Sequence, residues 1–65
     1  MIKTVIRSND NMVIVFDENG ELLPHYQGRY EEVRQKIMDD SPPEARFVCF
    51  PDNEVELKLV TREEW

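Results

Sequence analysis

Two stretches of this 65-residue chain carry large apolar side chains on consecutive residues, and that limits how the chain can fold. Successive side chains of an extended strand point to opposite faces. Met12-Val13-Ile14-Val15-Phe16 and Phe47-Val48-Cys49-Phe50 therefore send apolar groups to both sides of any sheet they join. Only one helix is on offer to cover them. Tyr26, Tyr30, Val33 and Ile37 recur at three- and four-residue intervals, and Met38 widens the stripe. This spacing predicts a helix over residues 28–39, ended by Ser41-Pro42-Pro43 because proline cannot continue the ladder.

The remaining segments read as strands and turns. Residues 2–7 alternate, with Ile2, Thr4 and Ile6 assigned to one face. Ser8-Asn9-Asp10-Asn11 is a cluster of turn formers. Asp17-Glu18-Asn19-Gly20 reads as a hairpin turn closed by a positive φ at Gly20, and Glu21-Leu22-Leu23 as a short returning strand stopped by Pro24. Residues 45–50 form a strand, residues 51–54 a turn, and residues 55–59 a strand with Val55, Leu57 and Leu59 inward. The expected architecture is a single α+β domain over residues 1–65. It has a small antiparallel or mixed sheet, order β-β-β-α-β-β, with one helix packed on one face.

A chain this short buries only about 60% of the surface its unfolded form exposes. Small domains commonly gain support from disulfides, a metal or a partner subunit. Cys49 is the sole cysteine, and one Cys with one His cannot supply the four ligands of a structural zinc site. The partner subunit is the support left open.

Three coverings of the second sheet face are conceivable: closure into a small barrel, a fold-back of the C-terminal residues carrying Trp65, or a second copy or another protein. Long side chains such as Lys3 and Arg7 offer partial shielding. Leaving Val13 and Val15, or Val48 and Phe50, in water costs roughly 1.5–3 kcal/mol per large side chain. That is a large share of a small domain's stability. The expectation is a non-enzymatic protein-interaction or homo-oligomeric module, with Val13, Val15, Val48, Phe50 and Trp65 at the interface.

Formal net charge is −6, from 14 acidic and 8 dispersed basic side chains. Such a field repels phosphate backbones, so no nucleic-acid partner is expected. The longest apolar run, residues 12–16, is far short of the ~20 residues that cross a bilayer, and no membrane partner is expected either. A lone cysteine and no secretory pattern at the N-terminus point to the cytoplasm. The acidity also suits an inhibitor or regulatory subunit seated on a basic surface.

The most chemically suggestive stretch holds His25, Tyr26, Gly28, Arg29 and Tyr30 at the expected helix start. Free backbone N–H groups and an arginine there would suit a small anionic ligand, which is the alternative reading. The glycine pattern of a phosphate loop is missing. Cys49 sits mid-strand, and Ser8 and Ser41 look like turn or cap residues, so no catalytic set emerges and no enzyme is expected. Asp39 and Asp40 stand at the negative end of the helix, a placement that with Glu44 suits a cation site but more commonly a frayed end open to water, and Asp17-Glu18-Asn19-Gly20-Glu21 lacks the spacing of a calcium loop; neither a metal nor a cofactor is expected. Thr61-Arg62-Glu63-Glu64 matches a capping box with room for one helical turn at most.

Overall fold

In chain order the elements are β1 (Ile2–Arg7), β2 (Met12–Asp17), a single 3-10 turn (Pro24–Tyr26), β3 (Gly28–Arg29), α1 (Tyr30–Asp40), β4 (Arg46–Cys49) and β5 (Lys58–Val60). This computed structural model describes residues 1–50 and 57–65. The predicted turn at residues 51–54, and Val55 of the last strand, fall outside the described residues. The five strands form one mixed sheet in the order β3-β2-β1-β4-β5. β1 is central, antiparallel to β2 and parallel to β4. A parallel neighbour requires a crossover, and α1 provides it across one face of the sheet. The α+β class with one helix on one face is as the sequence indicates.

The core lies between that face and α1. Val33 and Ile37 descend from the helix onto Val5, Val13, Val15 and Phe47, while Tyr30 and Met38 flank them half-buried. Ile2 joins them because the register shifts between Ile2 and Thr4, leaving Lys3 as an extra residue. The bulge corrects the simple alternation: Ile2 faces the core, whereas Thr4 and Ile6 face away.

The third strand is not where the apolar pattern put it. Glu21-Leu22-Leu23 makes only an isolated bridge, Leu22 opposite Phe16, and β3 instead pairs Gly28 with Val13 and Arg29 with Met12. Pro24 diverts the chain, and the gap is filled by a side chain. The Gln27 amide accepts from the Val15 N–H at 3.1 Å and donates to the Val15 and Leu23 carbonyls at 2.9 Å each. It stands in for a missing strand residue along the edge of β2. Gly28 has φ +144°, which an L side chain rarely adopts, and brings the backbone against Val33.

The hairpin after β2 forms as expected. The Gly20 N–H donates to the Asp17 carbonyl at 3.0 Å with φ +80° at Gly20, and the Asp17 carboxylate accepts the Asn19 and Glu21 N–H groups at 2.8 and 2.9 Å. In β5 the inward residue is Val60, aligned with Phe47, while Leu57 and Leu59 are exposed; the inward assignment of Leu57 and Leu59 is thereby corrected.

Residues 61–65 close into a single turn. Thr61 and Glu64 exchange capping-box hydrogen bonds, Thr61 N–H to the carboxylate at 3.1 Å and Glu64 N–H to the hydroxyl at 3.2 Å. The turn delivers Trp65 to the helix side of the sheet, where it is 2% exposed. Arg62 braces it, lying over the Phe47 ring and donating to the Ser41 hydroxyl at 2.6 Å and to the Pro42 carbonyl.

Candidate functional site

With α1 and Trp65 on the same side, the opposite face of the sheet has neither helix nor tail over it. Residues that face each other across paired strands project to the same side, so the register assembles this face rank by rank. One rank runs Ile14, Ile6, Val48, Leu59 across β2, β1, β4 and β5. The next runs Leu22, Phe16, Thr4, Arg46. Met12 and Arg29 stand at the other end of β2 and β3.

The exposure is concentrated here. Met12 is 42% exposed, Ile14 40%, Leu22 55% and Leu59 65%, and Leu57 lies two residues before Leu59 with half its surface in water. Ile6, Phe16 and Val48 are half-buried among them. Scattered single exposed apolar residues are ordinary, but a contiguous set spanning four strands marks a contact surface. Arg29 and Arg46 bring positive charge to strand positions of this face; no described carboxylate occupies one. The described acidic residues lie on α1, at the end of β2 where Asp17 opens the hairpin turn, in the turns and in the C-terminal turn.

The expected interface set divides between the two faces. Val48 is on the open face, and Phe50 follows β4 half-buried, its N–H donating to the Arg7 carbonyl at 3.3 Å. Val13, Val15 and Trp65 lie in the core, and their assignment to an interface is corrected. The strand does carry apolar groups on both sides, but α1 takes the odd-numbered side of β2 and leaves Met12, Ile14 and Phe16 outside. Arg7 does not shield the open face either. It points to the helix side, its guanidinium carbon 3.6 Å from the Tyr30 ring centroid, with donors to the Trp65 carbonyl at 2.8 Å and the Asn11 side-chain oxygen at 2.8 and 3.1 Å.

The residues of the alternative, anion-binding reading do not converge. His25 is exposed in the 3-10 turn. Tyr26 turns to the far end of α1 and donates to the Asp40 carboxylate at 2.7 Å, a bond that raises the phenol's pKa. Tyr30 packs against Trp65 and accepts from Arg34 at 3.0 Å. Gly28 is in the β3 pairing. The first helical N–H, that of Tyr30, is taken by the Asn11 carbonyl at 2.8 Å. Beside it Arg29 lines an open cleft of about 260 Å³ with Asp10, Asn11, Met12 and Glu31, where two carboxylates oppose an anion. Asp39 accepts from Gln35, and Cys49 is half-buried on the helix side between Arg7 and Lys58 in the register. Among the described residues no helix is long and apolar enough to cross a membrane, and no three His, Cys, Asp or Glu side chains cluster with metal-binding geometry.

Ile6, Met12, Ile14, Leu22 and Leu59 stand on the open face although the interface expected from the sequence does not include them. Nothing within a doubly apolar strand says which side a helix will take. The one usable signal was Arg46-Phe47, a charge followed by a bulky aromatic, which sets the phase of β4 with Phe47 inward. Comparison of the chain with protein-family models, with curated proteins and with solved structures gives no match.

Proposed function

We propose that this chain is a non-enzymatic interaction module of the cytoplasm that pairs with a second copy of itself through the open face of its sheet. The observation that carries this reading is the pair of apolar ranks on the face opposite α1. Three arguments favour a second copy. A domain of this size has little stability to spare, and a partner that binds only the folded chain adds to it by mass action. A two-fold pair needs one self-complementary patch, and the apolar rank that runs across four strands supplies it. Finally, two chains of net charge −6 repel least when each presents the face whose described strand positions hold no carboxylate and turns its acidic helix outward.

Sedimentation equilibrium across a concentration series tests the reading. The expected result is a dimer dissociating in the micromolar range. Ile14→Lys or Leu59→Lys should give a monomer with an unchanged circular dichroism spectrum, since both side chains project away from the core. A wild-type chain that stays monomeric at millimolar concentration overturns the proposal.

A further inference from the structure

We infer that Asn19 is a site of spontaneous covalent modification, converting through a cyclic imide to aspartate and isoaspartate. The hold of Asp17 on the surrounding turn governs its rate. The inference is independent of the proposed self-association.

The conversion needs only the chain and water. The Gly20 backbone nitrogen attacks the Asn19 side-chain carbonyl carbon and forms a new C–N bond. The bond to the side-chain amide nitrogen breaks, and that nitrogen leaves as ammonia with the proton Gly20 gives up. One water then opens the ring. Breaking the new C–N bond leaves aspartate, whereas breaking the original peptide bond leaves isoaspartate. A side chain on the residue that supplies the nitrogen obstructs the attack, and glycine has none. Asn19-Gly20 is the one Asn-Gly pair in the sequence: Asn9 precedes Asp10, Asn11 precedes Met12 and Asn53 precedes Glu54.

Asn19 and Gly20 are exposed, and nothing lies within 4 Å of where a Gly20 side chain would begin. Asn11 is held instead. Its side-chain oxygen accepts twice from Arg7, and the Met12 N–H that follows it donates to the Ser8 hydroxyl at 3.1 Å. In the closed hairpin turn the Gly20 N–H is engaged by the Asp17 carbonyl at 3.0 Å, while one Asp17 carboxylate oxygen accepts the Asn19 and Glu21 N–H groups. The Gly20 nitrogen is free to attack only when the turn opens, and an exposed turn opens far more easily than a core. Asp17 thus sets the rate. Isoaspartate places an extra backbone carbon between the two N–H groups that this oxygen accepts, and either product adds a carboxylate beside Glu18. The bridge of Leu22 to Phe16 just beyond the turn loosens with it.

Incubation of the purified chain in mildly alkaline buffer, followed by peptide mapping with mass spectrometry, tests the site. The expected result is an amide-to-acid mass change at Asn19 ahead of Asn9, Asn11 and Asn53, with isoaspartate among the products. Asp17→Ala should hasten conversion several-fold at Asn19 and leave Asn9 and Asn53 as they were; circular dichroism reports whether its fold is kept. In urea, where the turn no longer holds, Gly20→Ala should convert more slowly than wild type. Earlier conversion at another asparagine, aspartate without isoaspartate, or an unslowed Gly20→Ala chain in urea overturns the cyclic route at Asn19. A wild-type chain whose Asn19 stays intact while the same chain in urea converts overturns the site in the folded protein. If Asp17→Ala converts at the wild-type rate, or hastens every asparagine alike, control by Asp17 is overturned.

Discussion

The indole N–H of Trp65 donates to the Val48 carbonyl at 3.1 Å, so the largest fully buried side chain keeps its one polar atom satisfied. The same ring packs edge-on against Phe47 and Tyr30, with centroids 5.3 and 5.1 Å apart. Arg7 completes the assembly from above Tyr30 by donating to the Trp65 carbonyl. The last turn is thus tied to β1, β4 and α1 at once, and its residue is a structural part of the core.

Trp65→Ala should therefore be severe. Truncating a buried aromatic costs about 3–5 kcal/mol, comparable with the whole stability of a domain this size. Urea titration followed by circular dichroism should show the variant largely unfolded without denaturant. Trp65→Phe keeps the edge contacts, loses the bond to Val48, and should fall between. An alanine variant within about 1 kcal/mol of wild type would show that the turn is peripheral.

The Gln27 side chain predicts a local effect. Gln27→Ala removes the partner of the Val15 N–H and leaves that part-buried donor unpaired, at about 1–3 kcal/mol, while the Val15 carbonyl keeps the Leu23 N–H. Hydrogen exchange at the Val15 amide should accelerate more than exchange in β4. Equal acceleration throughout the sheet would instead indicate global destabilisation.

Acid should loosen the two turns held by carboxylates. The Glu21 N–H, with those of Asn19 and Gly20, holds the Asp17 carboxyl below its ordinary pKa, and the Thr61 N–H and then its hydroxyl do the same for Glu64. A carboxyl lowered in the folded state adds stability that is present above the unfolded pKa of about 4 and lost as pH falls through the folded value. Both groups are exposed, so the effect is modest. Urea midpoints measured from pH 7 to pH 2 should decline more steeply below pH 4 for wild type than for Asp17→Asn or Glu64→Gln. Parallel curves would remove these two carboxylates from the acid response.

Local chemistry was enough to read several elements from the residues alone. The hairpin at Asp17–Gly20 follows from a carboxylate and a glycine in one turn, the helix from the Tyr30, Val33, Ile37 spacing, and the capping box from Thr61 and Glu64. Each is decided by groups a few residues apart. The apolar character of both faces of β2 and β4 was equally legible, and it foretold a face that one helix could not cover.

The side on which that helix would lie is a different kind of fact. Val13 and Ile14 are interchangeable as strand residues; one is buried and the other exposed only because the crossover between β1 and β4 carries α1 over the odd-numbered side of β2. Trp65 joined the helix side through Arg7, Tyr30 and Val48, partners far away in the chain. Ile2 entered the core through a bulge, and Gln27 replaced a strand that the apolar pattern had placed at Leu22. Short-range hydrogen bonding and side-chain periodicity set the elements in advance of folding. Which face became the core was decided by contacts between residues distant in sequence, because burial belongs to the assembled layers and not to any one strand.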